Sequence, residues 1–164
     1  MNTVIISPSS TQMNKDMLHT KQKLVGLCKQ AQQKMVESAR EAMNEAQQAL
    51  NDYGPNKDRY DSFRDQLIGR RDMFAGQYQK ALTDLSVLEK INCTELKKKV
   101  EFGAIIISDS SKYVIAISSG KIECDGEVYY AISPAVPIYK AMEGLKQGDS
   151  FEFNGKRQTI KELF

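Results

Sequence analysis

Two carboxylates three residues apart are the part of this sequence best suited to chemistry. Asp58 and Asp61 stand in the run Lys57–Asp65, where acidic and basic residues alternate. A three-residue spacing places two side chains on neighbouring positions of one helix face. Carboxylate oxygens are hard ligands for Mg²⁺, but two carboxylates leave most of its six coordination positions unfilled. The pair is therefore expected to act at a site where another molecule already holds a metal. There it would help to retain a second ion and orient an attacking water, as in two-metal phosphodiester cleavage.

A structural role accounts for the same residues. A carboxylate at a helix N-terminus accepts hydrogen bonds from unpaired backbone amides and interacts favourably with the helix dipole. Asp58 would then be an N-cap and nothing more. Alternating charges are also typical of a solvated helix face. Both interpretations of the acidic pair stay open on the residues alone.

The rest of the sequence contains no second set of residues whose types and spacing suggest catalysis. The single histidine, His19, has no nucleophile near it in the sequence, and the glycines occur singly, so no phosphate-binding loop is predicted. Cys28, Cys93 and Cys124 are far apart and are expected to be reduced, unpaired thiols. A formal net charge of +2 is too small to hold nucleic acid without a local patch or a partner.

Targeting and membrane signals are not evident in the sequence. The opening stretch Met1–Gln12 has no basic region before its short apolar run, so it does not read as a signal peptide. No run of about 18 apolar residues is present. The expected location is the cytoplasm, with no membrane partner.

The composition changes along the chain and predicts an α+β protein. Helix-forming residues dominate from about Asn14 to Leu96, and β-branched and aromatic residues in short alternating runs follow from Val100. We predict a flexible segment over residues 1–12, a long antiparallel helical hairpin (a coiled coil) over 13–96, and a small, mostly antiparallel β domain over 100–164. The hairpin must then position the acidic pair.

Two helices are predicted over about Asn14–Leu50 and Lys57–Glu95. The connector 51–56 contains Gly54, which allows unusual backbone angles, and Pro55, which prevents the helix from continuing. A connector this short folds two helices back antiparallel. Arms of about equal length place the tip, residues 51–61, at the far end of the hairpin. Apolar residues at steps of three and four predict the seam of the first helix: Cys28, Ala31, Met35, Ala39, Ala42, Ala46 and Ala49.

The C-terminal part is predicted to contain five strands and one short helix. Asn154-Gly155 between two alternating runs is a strong signal for a type I′ hairpin turn. Ser133-Pro134 is predicted to open a helix over Val136–Glu143, which Gly144 ends. The predicted strands are Ala104–Ser108, Tyr113–Ile117, Val128–Ile132, Ser150–Phe153 and Gln158–Glu162.

Residues 100–164 resemble the C-terminal domain of the bacterial Gre-type transcript cleavage factors. Ser133-Pro134, the glycine that ends the short helix, and the Gly148-Asp149 turn before a strand are similar to that family's signature. The segment 151–163 is similar to its closing hairpin. This resemblance implies an FKBP-like fold that docks at the mouth of the secondary channel of bacterial RNA polymerase. The residues expected to dock are Ser133, Pro134 and Ile138.

The hairpin tip resembles the same family more in the spacing of its acidic residues than in residue identity. The usual tip reads Gly-Asp-x-x-Glu-Asn, and here Asp58 is kept while Asp61 replaces the glutamate. The sequence is more similar to divergent Gre-like tips with the pattern Asp-x-Tyr-acid-x-x-Arg, which Tyr60 and Arg64 complete. The resemblance implies that Asp58 and Asp61 act as catalytic carboxylates beside Mg²⁺ shared with the polymerase active site. Asp61 is one methylene shorter than the glutamate it replaces.

The resemblance also implies partners. The chain would be a monomeric accessory factor, not an enzyme, with no cofactor and no bound metal of its own. Its partners would be bacterial RNA polymerase and the RNA 3′ end inside it, with Lys57, Arg59, Arg64 and Arg71 touching RNA or the channel wall. Three alternatives remain: a channel-occupying regulator without cleavage activity, an FKBP-like isomerase or chaperone, and a coiled-coil adaptor.

Overall fold

The computed structural model describes residues 9–164, which form two compact units. The hairpin unit is Lys29–Glu89, and the β unit combines the described residues through Cys28 with Lys90–Phe164. Helix α1, Ser10–Tyr53, belongs to both units. Residues 10–12 were predicted to be flexible and are helical. The remainder of that predicted segment, residues 1–8, lies outside the described residues.

The hairpin unit contains the second part of α1 and the whole of α2, Ser62–Glu89. Gln32 Nε2 donates a hydrogen bond to the carbonyl of Ala81 at 2.9 Å. At the other end the rings of Tyr53 and Phe63 lie 5.2 Å apart. The two helices are therefore antiparallel, and the predicted α+β class with a helical hairpin is confirmed. The prediction of equal arms is wrong, because α1 has 44 residues and α2 has 28. At 1.5 Å per residue, α2 is about 40 Å long.

The predicted seam of α1 is partly wrong. Ala31 and Met35 are exposed, whereas Gln32 and Leu50 are buried. The buried residues Leu24, Cys28 and Gln32 follow one another at steps of four, so the buried face of α1 passes through position 32 and misses position 31. The predicted seam contained Ala31, and Gln32 takes its place in the structure. The glutamine is tolerated inside because the Ala81 carbonyl accepts its amide hydrogen.

The β unit is built on a six-stranded mixed sheet. Its strand order is β3-β4-β2-β1-β6-β5. Only β2 and β4 pair in parallel, and the other neighbours are antiparallel, as the sequence predicted for most of the sheet. The FKBP-like character implied by the family resemblance stays a prediction. The elements are β1 Ile105–Ser108, β2 Lys112–Ile115, β3 Gly120–Cys124, β4 Glu127–Ile132, α3 Pro137–Met142, β5 Ser150–Phe153 and β6 Lys156–Leu163.

Two turns that end in glycine join neighbouring strands of this sheet, and the sequence predicted only one of them. Asn154 and Gly155 have φ values of 51° and 73°, and they join β5 to β6 as expected for a type I′ turn. Asp125 and Gly126 have φ values of 52° and 78° and join β3 to β4 in the same way. Strand β3 was not predicted, although Asp-Gly is as good a hairpin signal as Asn-Gly.

The short helix begins later than predicted. It starts at Pro137, and Val136 is its N-cap with an extended ψ of 148°. A proline disfavours the helical conformation in the residue before it, so Val136 is extended, and Pro137 takes the first helical position. Gly144, with φ 75°, follows its end. The helix contributes Tyr139 and Met142 to the core, which also contains Val100, Ala104, Ile106, Tyr113, Ile115, Phe151, Ile160 and Leu163.

Within the β unit, a buried lysine joins the first part of α1 to the segment that follows α2. The Lys21 side chain is 0% exposed, and its ammonium group donates to the carbonyl of Glu95 at 2.7 Å. Burial lowers the pKa of Lys21, and the nearby Lys97 charge lowers it further. Leu24, Val25 and Cys28 are buried on the same helix. Between Ser9 and Phe164, none of the helices has the length and apolar character needed to cross a bilayer.

Candidate functional site at the hairpin tip

The tip loop, residues 54–61, connects α1 to α2. Gly54 has φ 84°, a conformation that favours glycine, and its amide donates to the carbonyl of Leu50 at 3.1 Å. Pro55 follows, and α2 does not begin until Ser62. The predicted start of α2 at Lys57 is therefore wrong. The acidic pair does not lie within the first turn of a helix, because both residues precede it.

Asp61 is the N-cap of α2, and its carboxylate faces into the tip loop. One carboxylate oxygen accepts the Arg64 amide at 3.1 Å, and the other accepts the Lys57 amide at 3.0 Å. The Tyr53 hydroxyl lies 3.0 Å from each oxygen. Only 8% of Asp61 is exposed. The Lys57 amide contributes most to holding the pKa of Asp61 below its usual value, while desolvation acts in the opposite direction.

Tyr53 is a part of the tip that the sequence prediction missed. Its ring packs against Phe63, and the Lys57 ammonium lies 4.2 Å from the ring centroid. Desolvation and the hydrogen bond to Asp61 raise the pKa of Tyr53, so the phenol stays protonated as a donor. An aromatic residue just before Gly-Pro was the only sequence signal. It did not distinguish this role from an ordinary turn residue.

Asp58 differs from Asp61 in both exposure and bonding. It is exposed, and one of its oxygens accepts the Tyr60 amide at 2.9 Å, which closes an Asx turn. The remaining acceptor capacity of the Asp58 carboxylate faces solvent. The two predicted catalytic carboxylates thus lie in one loop but have separate hydrogen-bond partners. Asp58 can still take up a ligand, whereas Asp61 is occupied by donors.

The predicted basic contacts occupy three different settings. Lys57 and Arg59 are exposed on the tip loop. Arg64 is partly buried, and its Nε donates to the carbonyl of Gly54 at 3.0 Å, which connects the start of α2 to the end of α1. Arg71 lies farther along α2 and pairs with Asp72 at 2.9 Å. The structure therefore brings the first three together and leaves Arg71 outside the tip loop.

The predicted docking residues lie in the β unit, with Ser133 and Pro134 between β4 and α3 and Ile138 in α3. Ser133 is partly buried, and its amide donates to the Ser118 hydroxyl at 3.2 Å. Pro134 is exposed, and Ile138 is partly buried against the core. Their role in docking stays a prediction. Across residues 9–164, no three His, Cys, Asp or Glu side chains cluster in a way that could hold a metal ion.

The fold and the tip define a class of chain: a two-helix hairpin with a capped, charged tip, joined in sequence to a small mixed β sheet. No family model matches the chain, and no curated protein matches it. A solved structure of the transcription factor Gfh1 is 16% identical, with 82% of this chain and 93% of that chain covered and a TM-score of 0.34. The GreA factor homolog 1 (Gfh1) of Thermus thermophilus is 17% identical, with 83% and 94% covered and a TM-score of 0.32. At such low identities and TM-scores, these two likenesses do not bear on function.

Proposed function

We propose that this chain is a Gre-like accessory factor of bacterial RNA polymerase that stimulates cleavage of backtracked transcripts. One observation carries the proposal: a two-helix hairpin ends in a fixed loop that presents the exposed Asp58 carboxylate between the exposed cations Lys57 and Arg59. The sequence resemblance of residues 100–164 and of the tip pattern gives further support. In the complex, the hairpin unit enters the secondary channel and the tip approaches the polymerase active site.

The roles of the two carboxylates follow from their surroundings. Asp58 has free acceptor capacity, so it is the carboxylate that would help to retain a second Mg²⁺ or orient the attacking water. Asp61 is a positioning residue, since its oxygens already accept hydrogen bonds from the Lys57 and Arg64 amides. The polymerase supplies the first metal ion and remains the enzyme. Arg59, which is exposed on the tip loop, would contact an RNA phosphate.

The β unit would dock at the mouth of the channel. Exposed Pro134 and partly buried Ile138 are the docking residues, and Ser133 holds the segment through its bond to Ser118.

The test uses a stalled, backtracked elongation complex. The release of 3′ RNA fragments is measured with the wild-type chain, with Asp58→Asn and with Asp65→Asn, an exposed carboxylate in the first turn of α2. We expect Asp58→Asn to slow release about tenfold or more, because a ligand of the reacting metal site is lost. Asp65→Asn should leave the rate unchanged. Binding of each variant to the polymerase is measured separately.

Different results remove different parts of the proposal. Equal fragment release with the wild type and with Asp58→Asn would eliminate the catalytic role of the tip. A wild-type chain that does not bind the polymerase would eliminate the whole proposal.

A regulator that occupies the channel without promoting cleavage is the second candidate. It is favoured by one observation: the hydrogen bonds of Asp61 leave a single carboxylate of the pair available. Tight polymerase binding, fragment release no faster than that of the polymerase alone, and slower nucleotide addition would select this function over the first.

A further inference from the structure

The tip loop presents one aromatic ring to solvent. Tyr60 is 82% exposed, more than any other exposed large hydrophobic residue in the described part of the chain. A single exposed aromatic residue is ordinary on a protein surface. This one differs because it lies between the two tip carboxylates, on a loop whose backbone is held in place.

The backbone on both sides of the ring is fixed by short-range hydrogen bonds. The Tyr60 amide donates to Asp58 at 2.9 Å, and the Tyr60 carbonyl accepts the Ser62 amide at 3.0 Å. Asp61, the next residue, is anchored by its capping bonds. The loop therefore holds the ring outward without burying it. A surface ordered in advance loses less conformational entropy when it binds a ligand.

Two basic residues lie on the same loop as the Tyr60 ring. The Arg59 guanidinium carbon lies 5.7 Å from the Tyr60 ring centroid, and Lys57 lies on the same loop. The high exposure of the ring leaves it open to a flat ligand. An aromatic face beside cations is the arrangement that binds unpaired nucleotides, since the base stacks on the ring and the phosphate meets the cation. An apolar surface of a partner protein matches the ring less well, because Asp58 and Arg59, which directly precede Tyr60 and are exposed, are charged.

We infer that Tyr60 is a stacking platform for an unpaired nucleobase, with Arg59 at the adjoining phosphate. The inference rests on the proposed function, in which the unpaired nucleotide is the extruded 3′ end of the transcript. The proposed function concerns cleavage of the transcript, and the inference adds recognition of the displaced, unpaired base. The ring contacts the base and takes no part in bond cleavage.

The experiment compares two backtracked polymerase complexes, whose unpaired 3′ nucleotide carries either adenine or no base. The affinity of the full chain for each complex is measured for the wild type, Tyr60→Ala, Tyr60→Phe and Tyr60→Leu. The wild type should bind the adenine complex about fivefold or more tightly than the abasic complex. Tyr60→Phe should keep this preference because it keeps an aromatic face. Tyr60→Ala and Tyr60→Leu should lose it.

Controls separate a local effect from misfolding. Met73→Ala removes another exposed side chain from the hairpin unit and should keep the full preference. Circular dichroism should give the same helix content for every variant, because the exposed Tyr60 ring contributes little packing to the fold.

The remaining outcomes count against the inference. If Tyr60→Ala weakens binding equally on both complexes, or if Tyr60→Leu keeps the preference, the ring contacts polymerase protein and the inference is wrong. A wild-type chain that binds both complexes equally would also overturn it, while leaving the proposed function intact. No binding of the wild type to the polymerase would refute the proposed function, and this inference with it.

Discussion

The tip loop is stabilised by one kind of interaction, and the β unit is stabilised by another. The β unit has a core of apolar side chains, such as Ile106, Ile115 and Met142, from which water is excluded. The tip loop has no such core, and its conformation depends on hydrogen bonds to the Asp61 carboxylate and on the Asx turn at Asp58. Exposed tip residues that make none of these bonds, such as Arg59, can therefore change in chemistry at little cost to the fold, whereas Asp58 and Asp61 cannot.

The largest expected effect lies in the β unit. Met142 is 0% exposed, so Met142→Ala should lower the free energy of unfolding by about 2–5 kcal/mol through lost burial and the cavity left behind. Urea denaturation measures the change. Met73→Ala, at an exposed position of α2, should change it by no more than about 0.5 kcal/mol. Similar losses for the two variants would contradict the assignment of the core.

A smaller and local effect is expected at the tip. Asp61→Ala removes the acceptor of the Lys57 and Arg64 amides, so hydrogen exchange at both amides should speed up, while exchange in the β unit stays as in the wild type. Asp58→Ala is the matched control, since it removes only the acceptor of the Tyr60 amide. If the two variants had the same effect at Arg64, the distinction between the two carboxylates would be wrong.

The smallest effect is a response to acid. Hydrogen bonds, that of the Lys57 amide first, hold the pKa of Asp61 below its usual 3.8. The carboxylate therefore stabilises the tip above pH 3.8, and this stabilisation is lost as the pH falls through the lower, folded-state pKa. NMR titration of the Asp61 carboxyl carbon should give a midpoint below 3.8. A midpoint at or above 3.8 would show that the tip bonds do not favour the charged form.

The sequence predicted the elements more successfully than their ends. Asn154-Gly155 specified its hairpin because both residues accept positive φ. Asp125-Gly126 accepts positive φ in the same way, although the hairpin that it forms was not predicted. The helix ends were harder to predict. Whether Asp58 or Asp61 caps α2 depends on which carboxylate meets the Arg64 amide, and both residues are equally suited to a cap.

The sequence predicted where the candidate site lies, but it did not predict how the side chains are arranged there. The sequence indicated that the tip carries Asp58 and Asp61, yet it suggested equal roles on one helix face. Their difference arises from the donors that meet Asp61, which are the Lys57 and Arg64 amides and the Tyr53 hydroxyl. Burial of Gln32 in the hairpin seam was missed for a related reason, because a carbonyl from the other helix satisfies its side chain. Ala81 is 49 residues from Gln32, and Tyr53 reaches Asp61 only because the loop turns back, so local patterns reveal neither partner.

The side-chain hydrogen bonds that shape the tip loop all begin and end within the short segment Tyr53–Arg64. Arg64 reaches back to Gly54, and Asp61 is held by Tyr53 and Lys57. Such a segment is portable: transplanted between the helices of an unrelated antiparallel pair, it should keep its shape. Natural or engineered chimaeras could then exchange the chemistry at the end of a hairpin while the scaffold beneath it stays the same.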